Sequence, residues 1–275
     1  MTQSPSSSAR RYEQTLDLQV PREAVWKALT DGAEIARWFA PEARVDPQVG
    51  GVVGWTWRDH FDWQQTIDVF EPGRHLRTRY DAWRGEGDAA HPLFIDFHLE
   101  GDGGATTLRI VHSGFGADAS FDQEFDAISG GWPIELASLR LYLERHLGRE
   151  RHLTWTRALV DAPQDEVWRQ LSAADAFGCA AVMQHASGDA FSFTTGDGDA
   201  FEGTVLKAEG TEFVGTAANH GDGWLRAWVG AHDGRTMLWL WLATYGHGPV
   251  AGLQQRWDAL VERLFGERLV RSDAS

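Results

Sequence analysis

Cysteine is nearly absent from this chain. Cys179 stands alone among 275 residues, so no internal disulfide can form. Also missing is any run near the roughly 20 apolar residues that cross a bilayer as a helix. The longest candidate is the short MLWLWLA at 237–243. The first ten residues, MTQSPSSSAR, lack the apolar core of a signal peptide, and a cytoplasmic protein is expected. Basic residues are few: 25 Lys and Arg against 40 Asp and Glu leave a net charge of −15. That balance opposes binding to nucleic-acid backbones and to anionic membrane surfaces. No two histidines are spaced H-x-x-x-H or H-x-H, the acidic GDGDAFEG at 196–203 lacks the remaining calcium ligands, and the glycines of GDGG at 101–104 precede no phosphate-binding helix. Neither a metal nor any other cofactor is expected. Cys179 has no base near it in sequence and reads as a small core residue.

What the chain does have is apolar bulk. Hydrophobic residues make up 43%, enough to bury real cores without metal or disulfide support, and 14 tryptophans and 14 phenylalanines supply an unusual share of it. Large rings with few rotatable bonds suit a thick core and a rigid pocket wall equally well.

The order of elements is written twice. Residues 12–19, YEQTLDLQ, alternate as a strand. Pro21 then opens a helix carrying Ala24, Val25, Ala28 and Leu29, Asp31-Gly32 interrupts it, and AEIARWF forms a second short helix. Strand texture follows in GGVVGWTWRD, WQQTIDVFEPG, HLRTRYDAW, PLFIDFHLEGDGG and TTLRIVHSGF, with Pro72-Gly73 and the GDGG run as turns of an antiparallel meander. A long helix closes the unit, with Trp132, Leu136, Leu139, Leu143 and Leu147 on one stripe. Pro21, Val25, Trp26 and Leu29 recur at one constant spacing as Pro163, Val167, Trp168 and Leu171. Leu139 and Leu143 recur as Leu260 and Leu264 at a smaller spacing, so the second copy is shorter. The expected domains are 12–148 and 152–267.

VPREAVWKALTDGAEIARWFAP, VGGVVGW, EPGRHLRTRYDAW, TTLRIVHSGF and GGWPIELASLRLYLERHL, in that order, resemble the SRPBCC subfamily named after the carboxy-terminal domain of the heat-shock-protein ATPase activator. The wider family is START-like, with the helix-grip fold of the birch-pollen allergen. The resemblance covers 12–147; the second copy shares the frame but lacks the HSGF and GW segments. It implies an α+β fold: tandem helix-grip domains, each a bent antiparallel sheet wrapped around a long carboxy-terminal helix, with two short helices after the first strand. It also implies a hydrophobic cavity between sheet and helix, which relatives use to bind small hydrophobic molecules and in some cases to transform them. No fixed catalytic constellation comes with it.

Alternation puts Val53, Trp55 and Trp57 on one strand face, and Leu93, Ile95, Phe97 and Leu99 on another. With Trp38, Phe39, Phe115 and Trp132 these either line a pocket or fill a core. His112 shares the face of Leu108 and Ile110 and is the best single polar candidate, as a pocket group or as a hydrogen-bonded core residue. Arg58, Asp59 and His60 could act together in acid–base chemistry or form a solvated turn. Trp224, Trp239, Trp241 and Trp257 are large enough to fill the interior of the second copy. The expected function is binding of a small hydrophobic or aromatic molecule, mainly in the first domain, at Trp38, Phe39, Trp55, Trp57, Phe97, His112, Phe115 and Trp132. The alternatives are a cyclase- or hydrolase-type enzyme and a co-chaperone-like interaction scaffold. A homodimer is left open.

Overall fold

A computed structural model describes residues 10–57, 61–81, 91–232, 234–246 and 248–270. Arg58, Asp59 and His60 lie outside them. The chain divides into two units between Gly148 and Arg149.

The first unit begins with β1 (Arg10–Leu18), α1 (Arg22–Thr30) and α2 (Gly32–Ile35). Pro21 lies one residue ahead of α1, in extended geometry, and its carbonyl accepts the first amides of the helix, from Ala24 and Val25. Asp31 does more than interrupt: its side chain caps α2, accepting from the amides of Ala33 and Glu34 at 2.9 and 3.2 Å. The second helix therefore starts earlier and is shorter than AEIARWF suggested. Gly32 is required where the helix meets the sheet, because a Cβ there would come 2.5 Å from the carbonyl oxygen of Ala43.

The meander comprises β2 (Glu42–Val45), β3 (Val52–Trp57), β4 (Phe61–Glu71), β5 (His75–Tyr80), β6 (Leu93–Glu100) and β7 (Thr106–Phe115). The seven strands pair antiparallel in the order β1-β7-β6-β5-β4-β3-β2, so the first strand closes on the last. The edge strand β2 has only four residues, too short for its alternation to register as a strand signal. The helix α3 (Asp122–Arg145) runs for 24 residues and buries Trp132, Leu136, Leu139 and Leu143. Leu147 breaks the expected stripe: the helix ends one residue before His146, and Leu147 is 49% exposed.

The second unit repeats the plan with β8 (Arg151–Val160), α4 (Gln164–Ser172), β9 (Ala190–Thr194), β10 (Ala200–Glu209), β11 (Glu212–Ala217), β12 (Gly223–His232), β13 (Arg235–Tyr245) and α5 (Leu253–Phe265). Its six strands are ordered β8-β13-β12-β11-β10-β9, again antiparallel with the first strand on the last. The two units are thus tandem α+β helix-grip folds. In place of the second short helix the second unit has turns and a single 3-10 stretch, Cys179–Val182, and its closing helix has 13 residues. Of GDGDAFEG, the GDGD part forms the turn between β9 and β10 and AFEG opens β10, with Asp199 held by Arg256 at 2.6 Å. Cys179 is fully buried in the core, and burial pushes its thiol up to about 12.

That core is a phenylalanine cluster around Trp257: Phe177, Phe191, Phe193, Phe201 and Phe213. Trp224, Trp239 and Trp241 do not fill it. Register pairs Trp228 with Trp239 and Arg226 with Trp241, while Leu225, Ala227, Leu238, Leu240 and Leu242 take the core-facing positions, so these tryptophans occupy the opposite face. Among the described residues no helix is long and apolar enough to cross a membrane.

One local device in the first sheet decides which rings face α3. Arg10 pairs with Phe115 but Arg11 pairs with Ser113, leaving Gly114 as an extra residue in β7. The bulge resets the alternation, so that His112 and Phe115 both point inward, with ring centroids 5.1 Å apart. Gly114 has φ +102°, and a Cβ there would meet the carbonyl oxygen of Pro92 at 2.3 Å. Gly114→Ala is expected to lose about 2 kcal/mol of stability in urea unfolding. Unchanged stability would show that β7 relaxes freely at this point.

Candidate functional site

The first unit encloses a cavity between sheet and helix, lined by Leu29, Ile35, Trp38, Phe39, Val53, Trp55, Leu76, Thr78, Phe97 and Trp132. Phe39 is its hub. It stacks on Trp38 at 5.2 Å and meets Trp55 and Trp57 edge-on at 5.3 and 5.2 Å. The volume is about 20 Å³, space for one water molecule.

Five of the eight residues named from the sequence line this space: Trp38, Phe39, Trp55, Phe97 and Trp132. Trp57 backs Phe39 from a half-buried position. His112 and Phe115 stand one layer behind, joined to the wall through Trp132. The sequence reading missed Thr78, whose hydroxyl donates to the side-chain Oε1 of the buried Gln65, and Leu76, although HLRTRY alternates clearly enough to give both.

Polar bonds hold the wall in place. The Trp38 indole donates to the carbonyl of Ala28 at 2.8 Å, and its own carbonyl accepts from the Ser138 hydroxyl of α3 at 2.7 Å. Beside them lies Glu34, which is 5% exposed and accepts from Lys27 at 2.9 Å, from Arg37 at 2.6 Å and from the Tyr142 hydroxyl. Burial alone would raise this carboxyl; the three donors outweigh it and hold it below the ordinary range. Trp55 is different. Its indole N–H is buried and has no acceptor.

The Trp132 indole donates to Nδ1 of His112 at 3.0 Å. An indole can only donate, so Nδ1 is unprotonated and the neutral ring carries its hydrogen on Nε2. Burial lowers the imidazole to about 4. The ring is therefore neutral at physiological pH, with one nitrogen already committed.

In the second unit a depression of about 530 Å³ lies among Val160, Asp161, Pro163, Gln164, Arg235 and Thr236. It is open to solvent and has mixed polar and apolar walls, unlike the sheet–helix cavity.

Residues 19–144 match the family model described as Activator of Hsp90 ATPase homolog 1-like protein. The first unit belongs to this family. The match ends before the second unit, whose kinship rests on its repeated element order. Among curated proteins nothing matches. Solved structures similar to the chain include a protein from Mesorhizobium loti, with 21% identity over 50% of this chain and 98% of that one, at a TM-score of 0.44. The Aha1 dimer from Colwellia psychrerythraea is 17% identical over 49% of this chain and 96% of that one, at 0.42. The di-domain ARO/CYC BexL of the BE-7585A biosynthetic pathway is 13% identical over 90% of this chain and 87% of that one, at 0.43.

His112 gives the site a pH signature. Its folded pKa of about 4 lies below the ordinary 6.5, so between those values the unfolded chain binds a proton that the native state refuses. The stability it supports is complete above pH 6.5 and is lost as pH falls toward 4, by about 3 kcal/mol. His112→Gln keeps an acceptor for Trp132 but cannot titrate. Urea unfolding from pH 7.5 to 4 is expected to show the variant losing about 3 kcal/mol less than the wild type. Parallel curves would mean that His112 titrates normally.

Proposed function

We propose that the first unit binds a small hydrophobic or aromatic molecule carrying an acceptor oxygen, between its sheet and α3. The observation that supports this is Trp55: a buried indole N–H without an acceptor, in the wall of an otherwise apolar cavity. A buried donor left unpaired costs roughly 1–3 kcal/mol, and a ligand oxygen would recover it. An unpaired indole alone is not decisive, because Trp257 in the second unit also lacks an acceptor. Trp257, however, sits against the rings of Phe177 and Phe201 at 5.9 and 6.3 Å, in a filled core.

Drug-sized ligands occupy pockets of about 300 Å³ or more, so the closed cavity must open. The amino-terminal half of α3 supplies the means. Most of residues 122–131 are exposed or half-buried, whereas Trp132 and the buried positions after it engage the core. At the junction stand Gly130 and Gly131, which touch nothing a Cβ would meet, and Pro133, which cannot donate to the carbonyl of Ser129. The reading favours a binder over an enzyme: His112 is neutral and spent on Trp132, and few polar groups converge on the cavity.

Native mass spectrometry of freshly purified protein is expected to show a retained hydrophobic molecule. Calorimetric titration with 1-naphthol is expected to be saturable, and Trp55→Phe to weaken it about fivefold, as the loss of one hydrogen bond implies. Absence of both a retained molecule and saturable binding, or equal affinity in Trp55→Phe, would overturn the reading.

A further inference from the structure

The outer face of the first sheet, turned away from α3, carries a group of side chains with a different chemistry. His75 on β5 is the direct cross-strand partner of His98 on β6, and their rings stack with centroids 4.1 Å apart and planes 19° from parallel. Asp96 lies two residues before His98 on the same strand and hence on the same face. Its carboxylate oxygen is 2.8 Å from Nε2 of His75. One nitrogen of each imidazole and one carboxylate oxygen all lie within 4.8 Å of one another.

We propose that His75, Asp96 and His98 form a binding site for a divalent transition-metal ion, of which zinc is the best fit. Two imidazoles and one carboxylate, with water in the remaining position, are a donor set that zinc accepts readily, while calcium and magnesium prefer all-oxygen shells. In a tetrahedral zinc shell the ligand atoms stand about 3.3 Å apart, so the widest separation must close by up to about 1.5 Å, the His75–Asp96 pair must open slightly, and the two stacked rings must turn out of parallel to aim their in-plane lone pairs at one ion. The hydrogen now bridging His75 and Asp96 gives way to the ion. All three ligands stand on neighbouring, mutually paired strands, which fixes their backbone positions before the ion arrives.

Burial and charge favour the site. Asp96 is 8% exposed, and His75 and His98 are half-buried, so the cluster is partly shielded from water. The chain's net charge of −15 raises the local concentration of cations. Glu71, the cross-strand partner of His75, adds a carboxylate on the β4 side. The competing cations are Arg77 and Arg109. Arg77 Nε is 3.8 Å from Asp96, but its guanidinium lies over the ring of Phe94 at 4.5 Å. Arg109 is engaged with Glu13 at 3.4 Å. None of the three ligands borders the aromatic cavity, so this site is independent of the small-molecule reading.

The test is calorimetric titration of tag-free, metal-stripped protein with zinc chloride at pH 7.5, alongside His98→Gln and His75→Ala. The wild type is expected to take up one ion per chain in the micromolar range. Each variant should lose affinity by more than about tenfold with its circular dichroism unchanged. Cobalt(II) in place of zinc is expected to give the visible absorption of a low-coordinate nitrogen–oxygen site in the wild type only. Absence of stoichiometric zinc uptake, or uptake in both variants equal to the wild type, would overturn the proposal. Two variants are measured so that misfolding of one leaves the other decisive.

Discussion

The carboxylate of Glu34 is the constraint on which the first unit's geometry depends. It lies between α1, α2 and α3 and receives a donor from each region: Lys27 from the first, Arg37 from the turn after the second, and the Tyr142 hydroxyl from the third. A buried charge with its partners in place is tolerated, but the same charge with one partner removed is costly, so the three segments cannot separate independently. The Tyr142 hydroxyl also accepts from the amide of Gly148 at 3.2 Å, which ties down the chain leaving the helix. Because Trp38 and Phe39 follow directly on α2, fixing that helix fixes the aromatic wall of the cavity.

The clamp acts on one end of α3 only. Tyr142 and Ser138 are in its carboxy-terminal half, and both reach back to the short helices. The other end has Arg10 bonded to the exposed Asp122 at 2.5 Å and Phe125 edge-on to Phe115 at 5.2 Å, with Arg10 over the Phe125 ring. Between this end and the clamped half lie Gly130, Gly131 and Pro133, the residue types at which a continuous helix bends most readily. On the proposed binding role, a bend here is what would admit a ligand to a cavity of about 20 Å³.

Much of this was legible in the sequence because two kinds of period dominate it. Alternation in LFIDFHLE and LRIVH placed Phe97 and His112 inward, and the duplicated Pro/Val-Trp/Leu frame revealed two copies. Failures occurred where a residue's surroundings depend on partners distant in sequence. Leu147 fits the helical stripe, yet the helix stops at Arg145, and nothing in the period marks that stop. Trp224, Trp239 and Trp241 were assigned to the second core on size, whereas strand register gives the core face to Leu238, Leu240 and Leu242. The same blindness hid His75, Asp96 and His98. A search for histidines at short spacing finds none, because these residues meet only through the pairing of β5 with β6.

The two copies show how one frame yields different interiors. In the first, rings of different shape meet edge-on around a gap: Phe39 against Trp55, Phe97 against Trp132. In the second, five phenylalanines and Trp257 contact one another at 5.0–6.3 Å, with Phe191, Phe193 and Phe213 closing the space under the sheet. The shorter helix α5 spans less of its sheet, and an unfilled remainder would have been destabilising in proportion to its volume. Phenylalanine fills that space without adding a polar atom, and Trp257 is the one of these six rings with a donor to satisfy. In the first copy Trp55 and Trp132 carry indole N–H groups in the cavity wall with His112 behind them; Trp132 finds its acceptor in His112, and Trp55 finds none. A core selected for stability alone gains nothing from an unpaired donor, yet both copies hold one: Trp55 borders a gap in the first, whereas Trp257 is packed against Phe177 and Phe201 in the second.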